Sequence, residues 1–410
     1  MKEKHFLQER AEVKLPNRIK LEPPTEEELQ KMTNILNLKK APGRDGVPLH
    51  FYKIMLGDKK NWINHIWSKE IHDSVFIGKL CAIPKPGCET LSDGFRPIVI
   101  QNLKAKIIEA RFKPYLEEVR KKMRNNWQTG FLQGKSTFDN LGELKKRLMR
   151  NEKCIFIDFK SAFCSIRWEC ILKPLQKYLD PKIFSNVRHI LCSQGYAIGK
   201  KIFKPDRGTP QGGILSPDLF NIGLGYVIQE HTNIKDNEIR AYADDIVLFY
   251  KKTDRANQML EQMFKMEGES GLRINKEKSG FSHINTDLQN KWEIAYKPNY
   301  LYLGVPLAKI KTGEYFGKYL KILTKVIHKG DDYQSWTLEQ RERYINDTIM
   351  AKMGYQADCN LLGENYKANS LKIRLLISAG IGHILDPSWT SGCLTIPKTA
   401  AYERSTNKKD

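Results

Sequence analysis

Nowhere in this 410-residue sequence does an apolar run approach the roughly 18 uninterrupted residues that a membrane-spanning helix requires. No membrane is therefore expected among its partners. Cysteine is sparse: eight residues, at positions 81, 88, 154, 164, 170, 192, 359 and 393, with no C-x-x-C spacing. Nine dispersed histidines add no zinc-ligand pattern. A disulfide scaffold is excluded, and reduced, buried thiols are the expectation. Internal repeats and low-complexity tracts are also missing. The first residues, MKEKHFLQER, lack the apolar centre of a signal peptide, and Glu3 and Glu9 fit a transit peptide badly. These readings predict an intracellular, unsecreted protein of the nucleus or an organelle, the mitochondrion if an organelle encodes it.

Acidic residues are in the minority, 47 Asp plus Glu against 68 Lys plus Arg, which leaves a formal charge of +21. Such a surplus favours a polyanionic partner, because neutralising phosphates releases counterions. Charge alone would also fit a basic protein without a particular partner. What the chain does contain, 40% hydrophobic residues with 10% aromatic, excludes a disordered polymer.

Along the chain, a polar stretch ends at Pro23-Pro24, and Thr25 with Glu28 predicts a capping box opening a helix that runs to Leu38. The runs LCAIP and FRPIVI, between residues 80 and 100, flank Pro-Gly turn signals and predict a hairpin. Helices are expected from about Asn102 to Met123, over Thr137–Met149, and over 215–231. CIFIDF (154–159) predicts a buried strand, and IRAYADDIVLFY (239–250) a strand, a tight turn and a second strand. Irregular mixing of these elements predicts an α+β fold. After Pro306 the pattern changes to long helices, with Lys318, Lys321, Lys325 and Lys329 forming a basic ridge suited to a phosphate backbone or simply to solvent.

Tyr242-Ala243-Asp244-Asp245 carries the sharpest chemical signal. Two adjacent acids at the turn of an apolar hairpin are costly to bury unless a cation neutralises them. Asp is also common in ordinary surface turns, so the pair alone is a weak signal. Asp158, at the end of CIFID, strengthens it. Strand ends that brought Asp158 beside Asp244 and Asp245 would gather three carboxylates, a set able to hold two divalent ions about 4 Å apart for in-line phosphoryl transfer.

The order of further motifs adds a family resemblance. KAPGRDG (40–46), LCAIPKPG (80–87), FRPIVIQN (95–102), QTGFLQGKSTFDN (128–140), FIDFKSAF (156–163), RGTPQGGILSPDLFN (207–221), YADD (242–245), GLRINKEKS (271–279) and YLGVPL (302–307) follow one another as in reverse transcriptases. The chain resembles the group II intron and non-LTR retrotransposon branch of that family. This resemblance implies a right-hand polymerase with fingers over 25–150, an antiparallel-sheet palm over 151–305 and a helical thumb over 306–387. A fingers insertion around 165–205, an N-terminal extension over 1–24 and a tail over 388–410 complete the expected plan.

The resemblance implies an RNA template, a DNA or RNA primer, dNTPs and two Mg²⁺ ions, for which Mn²⁺ can substitute. Asp158, Asp244 and Asp245 match the catalytic, metal-binding acids. Phe163, five residues after Asp158, matches a steric gate whose ring would clash with a ribose 2′-hydroxyl. Gln211, in the glycine-rich segment 208–213, matches a residue beside the incoming nucleotide; a glycine-rich loop lets backbone approach a ligand closely. Lys85 and Arg96 match triphosphate contacts, and Lys278 a proton donor to leaving pyrophosphate. Leu303 and Gly304 resemble the primer grip, and the 318–329 ridge gains a role against duplex. Lys39, Lys40, Arg44, Lys145, Lys146, Arg147 and Arg150 form a group of template contacts.

Cys164 departs from the retrotransposon branch, which usually carries Asp after the gate. No endonuclease, Cys/His knuckle or HNH-type motif is found, so mobility of an element by this chain alone is not expected. RNA-dependent RNA synthesis is an alternative that Phe163 opposes. A second alternative is a non-catalytic, maturase-like RNA-binding protein that retains the polymerase fold, and the intact acids count against it.

Overall fold

The computed structural model describes residues 94–306 without a break, the segments 71–85 and 41–47, and scattered positions at 18, 19, 21, 24, 25, 27, 28, 335–337, 340 and 344. In chain order the elements begin with strands β1 (Arg18–Ile19) and β2 (Ile71–His72), a 3-10 turn (Asp73–Phe76), β3 (Ile77–Pro84) and β4 (Phe95–Ile100). Helices α1 (Leu103–Met123) and α2 (Thr137–Met149) precede β5 (Lys153–Ile157). Next come the short helix α3 (Ala162–Ser165), α4 (Trp168–Tyr178), α5 (Pro181–Cys192), β6 (Gly195–Ile198), β7 (Lys201–Phe203) and α6 (Ser216–His231). The hairpin β8 (Ile239–Tyr242) and β9 (Asp245–Tyr250) is followed by α7 (Thr253–Ser270), β10 (Gly280–Phe281), α8 (Thr286–Trp292), β11 (Leu301–Tyr302) and β12 (Val305–Pro306).

Two compact units divide the chain: residues 1–140 with 146–297, and residues 141–145 with 298–410. The first holds two four-stranded sheets. One runs β10-β5-β9-β8, antiparallel throughout; the other runs β4-β3-β6-β7, with β3 and β6 parallel. The α+β class read from the sequence is borne out. Cys154–Ile157 and Ile246–Tyr250 are buried on both faces of the first sheet, which is why they read as continuous apolar runs rather than alternating ones.

In the second unit, β11 and β12 form an antiparallel hairpin, and the rings of Trp336 and Tyr344 meet edge to face at 5.3 Å. Thr337 and Gln340 cap each other reciprocally there, at 2.9 and 3.2 Å. The expected Thr25–Glu28 capping box forms in the same way in the first unit, at 2.8 and 3.2 Å. The expected continuation of a helix to Leu38, the expected thumb helices, the 318–329 lysines, Lys39, Lys40 and the expected tail lie outside the described residues.

Helix α6 runs through the middle of the first unit and packs against α4, α1 and α7. Leu219, Phe220, Ile222, Leu224, Val227 and Ile228 are all buried along it, so it is apolar around most of its circumference. Among the described residues, the thiols of Cys81, Cys154, Cys164 and Cys170 are free. Burial pushes the Cys154 thiol up to about 12 and that of Cys170 up to about 11, which leaves both inert at neutral pH.

Two buried polar contacts fix α1 against α6. The fully buried Asp218 carboxylate accepts from Lys113 at 2.7 Å and also from Arg120, whose guanidinium donates on to Gly130 O at 3.0 Å. Removing the acid strands a buried cation. Asp218→Ala is therefore expected to cost about 3 kcal/mol or more in urea unfolding; an unchanged midpoint would show the triad to be dispensable.

Glu109, also fully buried, accepts from the backbone N–H of Ile214 at 2.8 Å and of Leu215 at 3.2 Å, and from Gln101. Burial raises its pKa above the usual carboxylate value, and those donors and Lys106 only partly offset the rise. The folded state thus keeps its proton to higher pH than the unfolded chain does, so stability falls as pH climbs from about 4.5 towards the raised folded value, then levels. Glu109→Gln should flatten this slope in pH-resolved unfolding, and an unaltered slope would remove Glu109 as its source.

Candidate active site

The sheet register brings the acids together. β5 pairs with β9 through Phe156↔Val247 and Ile157↔Ile246, where the ladder ends with Asp158 as the next residue of one strand and Asp245 as the first of the other. Tyr242 pairs with Asp245 across the β8–β9 hairpin, so Ala243 and Asp244 form its two-residue turn. Ala243 sits at φ 55°, a left-handed conformation that a side chain rarely adopts. Asp158 and Asp244 are half-buried, and Asp245 reaches solvent.

Each carboxyl titrates above its ordinary value. Burial raises Asp158, against the pull of Lys278, Lys297 and Lys85 and a hydrogen bond from Asn275. Burial raises Asp244, its own backbone N–H offsets part of that, and the charge of Asp158 adds to the rise. The protein around Asp245, then the charges of Asp244 and Asp158, push it up to about 7. Like charges held this close make a strong cation-seeking centre. Among the described residues, however, no group of three or more His, Cys, Asp or Glu side chains closes tightly enough to cage a metal ion. Mg²⁺ does not need such a cage, since it commonly takes one or two carboxylates and completes its shell with water and substrate phosphates. The donor set of hard oxygens fits that mode.

A segment from Arg273 to Ser279 holds Asp158 from the side. Lys160 N–H donates to Arg273 O at 2.8 Å, Asn275 N–H to Asp158 O at 2.8 Å, and Asp158 N–H to Ser279 Oγ at 3.1 Å. Asn275 also turns the chain towards Lys278, whose N–H donates to Asn275 Oδ1 at 3.2 Å. Lys278 and Lys85 both stand near enough to act on Asp158. Lys297, which the sequence reading did not single out, joins them: it donates to Glu277 O, and burial lowers its pKa against the raising effect of Asp158. Nothing local marks Lys297 or Ser279, since their role depends on the pairing of 158–160 with 273–279.

The glycine-rich loop, 208–213, is tied into the protein itself. Its close approaches are to the protein's own backbone: a side chain on Gly208 would meet Cys164 O at 2.5 Å, and one on Gly212 would strike Val99 O. Both glycines have positive φ, 76° and 123°. The loop is thereby stitched between two other parts of the site. Thr209 N–H donates to Phe163 O at 2.7 Å, and Val99 N–H to Gln211 O at 2.7 Å. Gln211 is thus bound to β4, the strand that carries Arg96 opposite Ile83. Lys85 follows β3, its N–H donating to Gly94 O at 2.7 Å.

Phe163 lies on α3, partly buried, its ring stacked on Phe220 at 4.3 Å and 18°. Arg147, one of the expected template group, has partners within the protein. Its guanidinium pairs with Glu152 at 2.9 Å and covers the Phe249 ring at 4.4 Å, so it is engaged in packing. In the second unit, Leu303 and Gly304 form the turn of the β11–β12 hairpin, both with positive φ, 48° and 78°.

Fold and site define an α+β protein with carboxylates at neighbouring strand ends beneath a lysine rim, chemistry suited to phosphate-bearing substrates and divalent cations. A family model for reverse transcriptase (RNA-dependent DNA polymerase) matches residues 83–307, and the chain belongs to that family. Over 160 residues it is 28% identical to a COX1/OXI3 intron 1 protein of Saccharomyces cerevisiae, covering 38% of this chain and 19% of the relative. It is 22% identical over 422 residues to "Probable RNA-directed DNA polymerase from transposon BS" of Drosophila melanogaster, covering 92% of this chain and 46% of that protein. The chain spans less than half the length of these two relatives. Among solved structures, apo telomerase from Candida tropicalis matches with a TM-score of 0.45 at 13% identity, covering 83% of this chain and 72% of that one. Among the described residues no helix is long and apolar enough to cross a membrane.

Proposed function

We propose that the chain is an RNA-directed DNA polymerase that adds dNTPs to a primer 3′-hydroxyl. The carrying observation is the placement of Asp158 against Asp244 and Asp245 on paired strands, with Lys85, Lys278 and Lys297 acting on Asp158. On this reading the β10-β5-β9-β8 sheet is the palm, and the β3–β4 hairpin belongs to the fingers.

Asp158 and Asp244, with Asp245 in support, would hold two Mg²⁺ ions, or Mn²⁺ in their place. When bound, such ions neutralise charge on the attacking and leaving oxygens of an in-line displacement. The protein's own part is positioning. Asn275 and Ser279 fix Asp158, and Lys85 with Arg96 contacts the triphosphate. Lys278 stands where it can protonate leaving pyrophosphate. Phe163, immobilised by its stack on Phe220, bars a ribose 2′-hydroxyl, while Gln211 faces the nucleotide from the loop fixed to β4. Leu303 and Gly304 hold the primer end, and the lysines at 318, 321, 325 and 329 follow the duplex backbone. On this reading the protein works inside the cell, in the nucleus or an organelle.

Template direction is the property to test. A labelled DNA primer annealed to RNA of mixed sequence should extend only until the template calls for a dNTP left out of the mixture. Extension that ignores the missing dNTP would contradict template-directed synthesis. Tight RNA binding without any extension would favour the maturase-like alternative, which the resemblance to intron proteins keeps in view.

A further inference from the structure

We infer that Gln128 is a positioning residue that sets the shape of the turn carrying Asp244. The inference rests on the polymerase reading for its kinetic part only. Gln128 belongs to the QTGF run (128–131), to which the proposed mechanism gives no task.

Its side chain is buried and engages one residue of the acid turn from both sides. Gln128 Oε1 accepts from Ala243 N–H at 2.9 Å and Nε2 donates to Ala243 O at 3.0 Å. The same Oε1 accepts from Gly130 N–H at 2.9 Å, which holds the amide plane in place. Backbone contacts bring the two segments into register: Thr129 N–H donates to Ala241 O at 2.9 Å, and Ala241 N–H to Trp127 O at 2.9 Å.

Ala243 has no side-chain polar group with which to support its left-handed conformation, and it is buried, so water cannot supply the missing partners. A side-chain amide stays uncharged at neutral pH and offers an acceptor and a donor in one plane to a peptide N–H and C=O. Gln128 therefore satisfies both groups of the residue directly before Asp244, in the turn that holds Asp244 within reach of the Asp158 charge. Gly130 contributes by having no side chain, because a Cβ there would land on Ala243 N. Without the clamp the turn would relax, and a displacement of about 1 Å in a catalytic group is worth on the order of 100-fold in rate.

The test uses Gln128→Met, similar in length but without hydrogen-bonding groups, in the full chain. Three quantities are read: kcat and KM for dTTP on oligo(dT)-primed poly(rA), the affinity for primed template, and Mn²⁺ binding by the protein without nucleotide, followed by electron paramagnetic resonance. The expected result is a kcat lower by about 30- to 100-fold. KM and template affinity should change by less than about threefold, and Mn²⁺ affinity should fall by about tenfold. Gln128→Glu, which keeps the acceptor and loses the donor, should fall between. Gly130→Ala keeps the Gln128 amide but pushes on the same peptide and on Gln128 Oε1, so it should reproduce the kcat and Mn²⁺ losses.

Wild-type kcat and Mn²⁺ affinity in folded Gln128→Met would overturn the inference and leave the polymerase reading standing. If the wild-type protein fails to polymerise, that reading falls, and Mn²⁺ affinity alone decides the role of Gln128. Should Gln128→Met fail to fold, Gly130→Ala carries the same comparison.

Discussion

Asp244→Ala is expected to reduce dNTP incorporation by on the order of a thousandfold or more, equivalent to about 4 kcal/mol of transition-state stabilisation, while the fold survives. The two halves of this result have one cause. Asp244 is held in a half-buried turn beside Asp158, where burial and like charge raise its pKa. A carboxylate there repels its neighbour in the free protein and becomes useful only when a cation arrives. Its removal takes away a cation ligand and relieves that repulsion. An acid whose folded pKa exceeds its unfolded value of about 3.8 loses stability as pH rises past that value. Asp244→Asn should accordingly melt at the same temperature as the wild type or higher at neutral pH in metal-free buffer. A variant that is inactive because it is unfolded would contradict this account, as would a folded variant that still incorporates dNTPs.

Phe163→Val is expected to raise use of rNTPs relative to dNTPs by about 10- to 100-fold, the range that a change in a steric pocket supplies. Helix α3 puts Phe163 five residues past Asp158, and the Phe220 stack prevents the ring from swinging aside. Losing that stack should itself cost about 1 kcal/mol of stability. The informative quantity is therefore the ratio of kcat/KM for the two sugars in one preparation, which does not depend on the folded fraction. A ratio equal to that of the wild type would assign Phe163 to the core alone.

The parts of the site that could be read from sequence are those that local pattern specifies. CIFID and IRAYADDIVLFY carry buried strands whose apolar runs leave little choice, and the acids fall at their ends. The pairing of β5 with β9, which makes those ends neighbours, is non-local, so the sequence offered it only as a condition, to which the family resemblance added weight. Lys297 and Ser279 were missed for the same reason. Helix α4 was hidden by Pro174 in its interior, and α5 with the β6–β7 hairpin fell in a stretch read only as an insertion. The loop 208–213 shows how one motif admits two physical readings. A glycine that lets backbone approach backbone looks the same in sequence as one that makes room for a nucleotide, and Gly208 and Gly212 are of the first kind. Arg147 is similar: a basic residue on a helix reads as a phosphate contact, and its pairing with Glu152 has no local signal in the sequence.

The most direct measurement of the central claim is incorporation of labelled dTTP by the purified protein on oligo(dT)-primed poly(rA) with Mg²⁺, beside Asp244→Ala. The account predicts RNA-templated incorporation that stops on chelation of the metal and is lost in the variant. A folded wild-type protein that binds the primed template and incorporates nothing, with Mg²⁺ or with Mn²⁺, would contradict it.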